Sequence, residues 1–302
     1  MTISATMVRD LRDKTGAGIM ECKAALAESG GDVERAIEVL RKRGLKVAEK
    51  KAGRAAADGL VVAWVSPGRD VGALLEVNCE TDFVARTEQF VAFTKALVGR
   101  VGSDAGAAEV NVLLERSLNG KRIAEVVKET IAAVGENVVV RRAGRLAVSA
   151  GAHGLIASYL HMGGKIGVLV EMRCTSEGVA RGEELARLAK EMALQVCSAE
   201  PAYVSREQVP AEALEREREI LRAQPDLQGK PPAIQDKIIQ GRLEKFYMER
   251  CLADQIFIRD PEGKQKVRDV LKAAQKQLGE PVSVGGFVRF RLGEGVEKKV
   301  AE

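Results

Sequence analysis

Aromatic side chains are scarce in this chain: seven Phe, three Tyr and one Trp amount to 4% of 302 residues. Charge of one sign is scarce too, since 47 Lys and Arg stand against 43 Asp and Glu and leave a formal net charge of only +4. Such a chain offers neither a base-stacking platform nor a strong phosphate footprint, so nucleic acid is not expected as a direct partner. The only imidazoles, His153 and His161, flank one predicted strand and would not share a tight site. The five cysteines, Cys22, Cys79, Cys174, Cys197 and Cys251, are odd in number, widely spread and free of any C-x-x-C pair, which fits reduced thiols and argues against a zinc site. No apolar run is long enough to cross a bilayer, and the amino terminus passes straight into charged, periodic sequence without a signal-type apolar segment; the expected compartment is the cytoplasm. Nucleotide and hydrolase signatures are missing as well: there is no G-x-x-x-x-G-K-[ST] loop, no G-x-G-x-x-G, no H-E-x-x-H and no G-x-S-x-G. Gly163-Gly164-Lys165 lacks the upstream spacing and the following hydroxyl of a phosphate loop. No metal, no cofactor and no covalent catalysis are expected of the chain itself.

What is present is a folded sequence, 46% hydrophobic and 30% charged, of a length that suggests two or more compact units. Residues 1–45 read as three short helices. Met7, Val8 and Leu11 mark the first; Ile19, Cys22 and Leu26 mark the second, after the turn Thr15-Gly16-Ala17-Gly18; Val33, Ala36, Ile37 and Leu40 mark the third. A basic, alanine-rich stretch from Lys46 to Ala57 reads as the tail of that helix followed by a linker.

Beyond Asp58 the chain repeats itself at an offset of 95 residues: Gly59-Leu60 matches Gly154-Leu155, Gly72 matches Gly167, Glu76 matches Glu171, Cys79 matches Cys174, and Val84-Ala85-Arg86 matches Val179-Ala180-Arg181. Each copy opens with two β-rich runs around a glycine turn and continues into an amphipathic helix. The copies close alike at an offset of 144 residues, Gly135-Glu136 and Val138 matching Gly279-Glu280 and Val282, as a helix, a glycine cap and a last strand. The difference between the offsets, 144 less 95, places 49 extra residues in the second copy, assigned to the charged segment from Ala211 to Cys251. Its helical patterns flank a break at Pro225 to Pro232 and read as a two-helix arm. The fold class expected is α+β: an N-terminal three-helix unit with its linker over 1–55, two duplicated α+β core subdomains over 56–148 and 149–302, an inserted helical arm at about 205–255 and a C-terminal helix and strand module at about 264–302.

The most informative segment is Cys79-Glu80-Thr81-Asp82-Phe83-Val84-Ala85-Arg86, at a strand-to-helix junction. Thr81 as N-cap and Asp82 near a helix N-terminus are explained by local chemistry alone. Phe83 suits either a core position under the hairpin or an exposed contact. The duplication bears on the choice, because the second copy carries Ser176-Glu177-Gly178: cap and acid are kept in kind and the aromatic is a glycine. The fold does not require that ring, which makes Phe83 a candidate contact anchor.

Two stretches, Thr15-Gly16-Ala17-Gly18-Ile19-Met20-Glu21-Cys22-Lys23 and Asn78-Cys79-Glu80-Thr81-Asp82-Phe83-Val84-Ala85, resemble the amino-terminal and core signatures of the elongation factor Ts family, nucleotide exchange factors of elongation factor Tu, and the resemblance extends over essentially the whole chain. It implies a ubiquitin-associated-like domain at the amino terminus, two core subdomains and a coiled-coil arm. By position it implies that Thr81, Asp82, Phe83 and Val84 enter the GTP-binding domain of the partner and dislodge magnesium, with Asp82 and Phe83 as the intruding pair. Ile19, Met20, Lys51, Val134, Gly135 and His161 match further contact positions. For Gly135 a structural role is the stronger reading, since Gly279 repeats it. The closing helix Val267 to Leu278 resembles a module that lies on the partner, although its apolar positions equally suit a core. A homodimer through the arm or the second subdomain stays open. The rival reading is a scaffold protein with the same architecture and no effect on nucleotides.

Overall fold

The computed structural model describes residues 3–296, so Lys298 and Lys299 lie outside the described residues. Helix and sheet are segregated into local units in the manner of an α+β chain. Three helices come first, α1 (Ala5–Thr15), α2 (Ile19–Glu28) and α3 (Val33–Lys51). Val8, Leu11, Cys22, Ala25, Leu26 and Ala36 form their shared core, with Val33, Ile37 and Leu40 half-buried against it. Each break has a local cause. Gly16 takes the left-handed conformation that ends α1, and the Asp32 side chain accepts the Arg35 N–H at the start of α3.

The repeat is visible in three dimensions. In the first copy β1 (Asp58–Val65) and β2 (Val71–Cys79) form an antiparallel hairpin, followed by the single-turn α4 (Asp82–Ala85) and α5 (Glu88–Ser103). After α6 (Val110–Glu115) and the two-residue strands β3 (Ser117–Leu118) and β4 (Lys121–Arg122), α7 (Ile123–Val134) leads to β5 (Val139–Ala147), which pairs with β2. The second copy runs β6 (His153–His161), β7 (Ile166–Cys174), α8 (Glu177–Arg181) and α9 (Glu183–Ala199), and closes with α12 (Val267–Leu278) and β8 (Ser283–Arg291) on β7. The sheet orders are β1-β2-β5 and β6-β7-β8. Even the irregularities repeat, since the register shifts after Glu76 in one sheet and after Glu171 in the other.

The strand pattern explains how the layers stack. Val62, Ala73, Leu75 and Val77 face α5 and α7, and Leu155, Ala157, Val168, Val170 and Met172 face α9 and α12. The alternate positions Val61, Leu74, Ile156, Leu169 and Phe290 meet in a third core between the two sheets. Glycines allow the close approach: a Cβ on Gly72 would lie 2.5 Å from Ile156, and one on Gly167 would lie 2.5 Å from Val61. The Val61 N–H donates to the Gly164 carbonyl across the junction at 2.8 Å. Glu76, fully buried, accepts from Arg141 at 2.8 Å, Arg142 at 2.5 Å and the Gly293 N–H at 2.8 Å, which answers its charge and ties the end of β8 to the first sheet.

The inserted segment folds as α10 (Ala211–Arg222) and α11 (Pro232–Arg250), packed through Leu221, Leu227, Ile239 and Leu243. At its base Arg206 donates to Asp254 and Glu244 and lies over the Tyr247 ring at 4.5 Å, while Arg268 of α12 reaches Asp254 at 2.8 Å. Burial alone would raise the Asp254 carboxyl; the two arginines outweigh it and hold the group below the usual carboxylate range.

The glycines give a direct test of the sheet-on-sheet contact. Gly72→Ala is expected to destabilise the protein by about 1–3 kcal/mol, because the added methyl must push Ile156 aside. Gly99→Ala, within α5 where an added Cβ meets nothing, is expected to stabilise it by about 0.5–1 kcal/mol. Urea unfolding monitored by circular dichroism measures both.

Candidate functional site

The segment from Thr81 to Val84 begins where β2 leaves the sheet. Thr81 has an extended backbone and its hydroxyl oxygen accepts the Val84 N–H at 3.4 Å, so the sequence starts a helix here for the ordinary reason that a hydroxyl replaces a missing intrahelical acceptor. Asp82 stands in the first turn and pairs with Arg86 at 2.7 Å. Val84 and the buried Ala85 pack inward. Phe83, on the other side of this single turn, is 81% exposed, so it is no part of the core. Of the two readings open for this ring, only the exposed one survives. Leaving a phenyl ring in water forgoes roughly 1.5–3 kcal/mol of burial, and the second copy, with Gly178 exposed at the equivalent place, builds the same turn without that cost.

The turn is held from outside by a carboxylate that the reading of the sequence did not single out as functional. Glu136, just past the end of α7, accepts the N–H groups of Glu80 at 3.1 Å and Thr81 at 3.0 Å through Oε2, and the Thr81 hydroxyl at 2.6 Å through Oε1. Because that hydroxyl donates to Glu136, its lone pairs remain available to Val84, and the two bonds reinforce each other. Glu80 reciprocates by accepting the Asn137 N–H at 2.7 Å, and the Asn137 side chain donates to the Arg54 carbonyl at 2.8 Å. The Cys79 thiol donates to the Thr81 carbonyl at 3.1 Å. Burial, with Glu136 and Asp58 nearby, pushes this thiol up to about 12, so it stays a protonated donor at neutral pH. One signal for Glu136 was available in the sequence, its recurrence as Glu280.

The remaining candidates fall into separate places. Ile19 and Met20 open α2 and are 55% and 73% exposed, an apolar pair with no packing role of its own. Lys51, the last residue of α3, donates to the Gly135 carbonyl, so the structure joins two candidates and sets them beside Glu136. Gly135 ends α7 in the left-handed conformation, at φ 72°, as Gly279 ends α12 at φ 74°; this geometry is sufficient reason for both glycines. Val134 is half-buried against the first core. His161 is exposed at the end of β6, with Nδ1 3.1 Å from the Tyr159 hydroxyl and the two rings stacked, and Met162 beside it is exposed with φ 49°. The apolar residues of α12, Val267, Val270, Leu271, Ala274 and Leu278, pack into the second core. Among the described residues no three His, Cys, Asp or Glu side chains gather as a metal site, and no helix is long and apolar enough to cross a membrane.

The geometry is that of a chain whose most exposed large apolar groups sit at turns and helix starts, framed by ion pairs and hydrogen bonds that keep those turns fixed. Residues 80–294 match the family described as Elongation factor TS. The chain is 45% identical over 301 residues to Elongation factor Ts of Clostridium perfringens (strain SM101 / Type A), covering 98% of this chain and 95% of that protein. It is 46% identical over 302 residues to Elongation factor Ts of Nostoc punctiforme, covering 98% and 94%, and 44% identical over 301 residues to Elongation factor Ts of Magnetococcus marinus, covering 99% and 95%. The chain therefore belongs to the elongation factor Ts family of translation elongation factors.

Since Phe83 makes no core contact, Phe83→Ala is expected to leave unfolding within about 0.5 kcal/mol of the wild type, as for surface positions generally. Phe90→Ala, at a fully buried ring of α5, is expected to cost about 3–5 kcal/mol in the same denaturation experiment.

Proposed function

We propose that this chain is a guanine nucleotide exchange factor of translation elongation, acting in the cytoplasm on elongation factor Tu with GDP bound. It displaces magnesium, promotes GDP release and leaves an open site for GTP. The observation that carries this reading is the exposed Phe83 beside Asp82 on a turn that Glu136 of the first copy holds by hydrogen bonds. The work is divided along the chain: residues 1–55 dock through Ile19 and Met20 as a ubiquitin-associated-like module, 56–148 carry the intruding segment, and 149–302 add a second docking surface around His161 together with the coiled-coil arm.

The energetics explain why one wedge is insufficient. A nucleotide with its magnesium is held by charge on the phosphates and by metal ligands, so release depends on displacing those groups rather than on bond chemistry. Accelerating release by ~10⁴-fold lowers a barrier by about 5.5 kcal/mol, and burying one Phe supplies roughly 1.5–3 kcal/mol. The balance comes from contacts elsewhere that hold the partner in a conformation with its metal and phosphate loops displaced, which suits a long chain with separated docking surfaces. The coupling is reciprocal: whatever factor reduces the affinity for nucleotide reduces, by the same factor, the affinity of this protein for the nucleotide-bound partner. Bound GTP or GDP then drives its departure.

Two variants separate docking from expulsion. In a stopped-flow assay of fluorescent GDP release from elongation factor Tu, Phe83→Ala is expected to lower the maximal rate by ~10-fold or more, in line with about 1.4 kcal/mol per decade. Unchanged release with wild-type affinity favours the scaffold reading instead. Met20→Asp is expected to raise the concentration needed for half-maximal release by ~10-fold with the maximal rate retained, because it removes an apolar contact on an element other than the one that carries the wedge. Loss of the maximal rate at saturating protein would refute that division.

A further inference from the structure

We propose that Glu136 is a positioning residue for nucleotide expulsion: its carboxylate fixes the Thr81–Val84 turn in the conformation that aims Phe83 outward, and it thereby sets the rate the bound factor reaches. The inference rests on the reading of Phe83 as the intruding residue and adds the group that makes the intrusion effective.

The argument starts from what Phe83 lacks. An exposed ring cannot anchor its own backbone, and α4 is four residues long, too short to persist by itself. The turn is shaped by packing of Val84 and Ala85 on one side and by polar bonds on the other. Three of those bonds converge on one carboxylate, two from backbone N–H groups and one from the Thr81 hydroxyl that itself caps α4. Glu136 lies 55 residues from Thr81 in the chain, so the shape of the turn is decided by tertiary contact.

Glu136 is itself held at both sides. Lys51 donates to the carbonyl of Gly135 before it, and Asn137 after it is bonded to the Glu80 carboxylate and the Arg54 carbonyl, with Arg54 and Glu80 also paired at 3.5 Å. The chain leaving α3 is thus joined to the turn after α7, and that turn is joined to the wedge. Lys51 and Gly135 fall into this frame as supports of Glu136.

The duplication supplies an internal control. Glu280 accepts the N–H groups of Thr175 at 3.0 Å and Ser176 at 3.1 Å, and the Cys174 thiol donates to the Ser176 carbonyl at 3.4 Å. The Ser176 hydroxyl, with these amides, holds the Glu280 carboxyl below the usual carboxylate range. The same clamp therefore closes over a turn bearing Gly178 where the first copy bears Phe83. Removing either carboxylate removes a comparable structural element, and only one of them has a wedge to aim.

The test is release of fluorescent GDP from GDP-loaded elongation factor Tu in magnesium buffer, with the full-length protein titrated to saturation. For Glu136→Ala the maximal rate is expected to fall ~10- to 100-fold, the loss typical of a misplaced reacting group, while the half-saturating concentration stays within ~3-fold. Glu136→Gln, which keeps an acceptor oxygen for the amides, is expected to fall between this variant and the wild type; it carries the test alone if the alanine variant does not fold. Adding Phe83→Ala to the Glu136→Ala background is expected to cost far less than in the wild type, because a wedge already misdirected has little left to lose. Glu280→Ala is expected to lower the melting temperature and to keep the maximal rate within ~2-fold, since a purely stabilising role does not alter expulsion. Wild-type rates for both Glu136 variants, equal losses for Glu136→Ala and Glu280→Ala, or additive losses with Phe83→Ala would each overturn the positioning role. If Phe83→Ala itself leaves release unchanged, the reading of Phe83 falls and this role falls with it. If Phe83→Ala slows release and the Glu136 variants do not, only the positioning role is lost.

Discussion

The central strands β2 and β7 have almost no solvent face, and much of the architecture follows from that constraint. Each lies between two neighbours in its sheet, with a helical layer on one side and the other sheet behind it. A strand buried on both faces cannot slip register without driving side chains into filled space. The glycines Gly72 and Gly167 let the sheets meet, and the paired register shifts beside Glu76 and Glu171 are taken up by the outer strands, where Arg141 of β5 and Gly285 of β8 are the extra residues, so β2 and β7 run on unbroken. Cys79 and Thr81 therefore leave the sheet at a fixed height and direction, and the turn bearing Phe83 starts from a rigid base.

Onto this duplicated frame the first copy adds an exposed ring whose absence from the second copy carries no structural cost. The clamps over the two turns are built alike, from a glutamate after a glycine cap and a thiol donor, Cys79 buried and Cys174 half-buried. The frame repeats because both copies must fold, and the two turns differ at a single exposed position, Phe83 in one copy and Gly178 in the other. That placement also explains how a costly exposed aromatic is kept without loosening the core.

The exposed apolar groups are spread over several elements, Ile19 and Met20 on α2, Phe83 on α4 and Met162 at the β6–β7 turn. Under the proposed function, in which this protein opens a site in its partner, contacts on several elements have a mechanical advantage, because forces applied at several points can hold a second conformation that no single point could. The supports between these points are apolar, with Ala48 of α3 buried in the first core and the two sheets packed through the third, and also polar. Lys51 on Gly135, Arg54 on Glu80 and Arg41 on Glu125 at 2.8 Å join the helical amino terminus to the first copy, while Glu76 joins the first sheet to the end of β8.

Helix positions, turns and the duplication were readable from the residues alone because they rest on local chemistry and on spacing: Thr81 as a cap, Gly135 and Gly279 at left-handed helix ends, the β-rich runs around a glycine turn that open each copy, and the break between α10 and α11. The candidate site was legible as a difference between the copies, Phe83 against Gly178. Other features depended on residues far apart in the chain. Whether Phe83 faced water or the core had no local answer, since period and propensity serve either. That α3 meets α7, that the two sheets stand back to back, and that Glu136 closes over Thr81 were decided only by tertiary packing. A carboxylate's place in a sequence does not tell which amides will be left without partners beside it once the strands have paired.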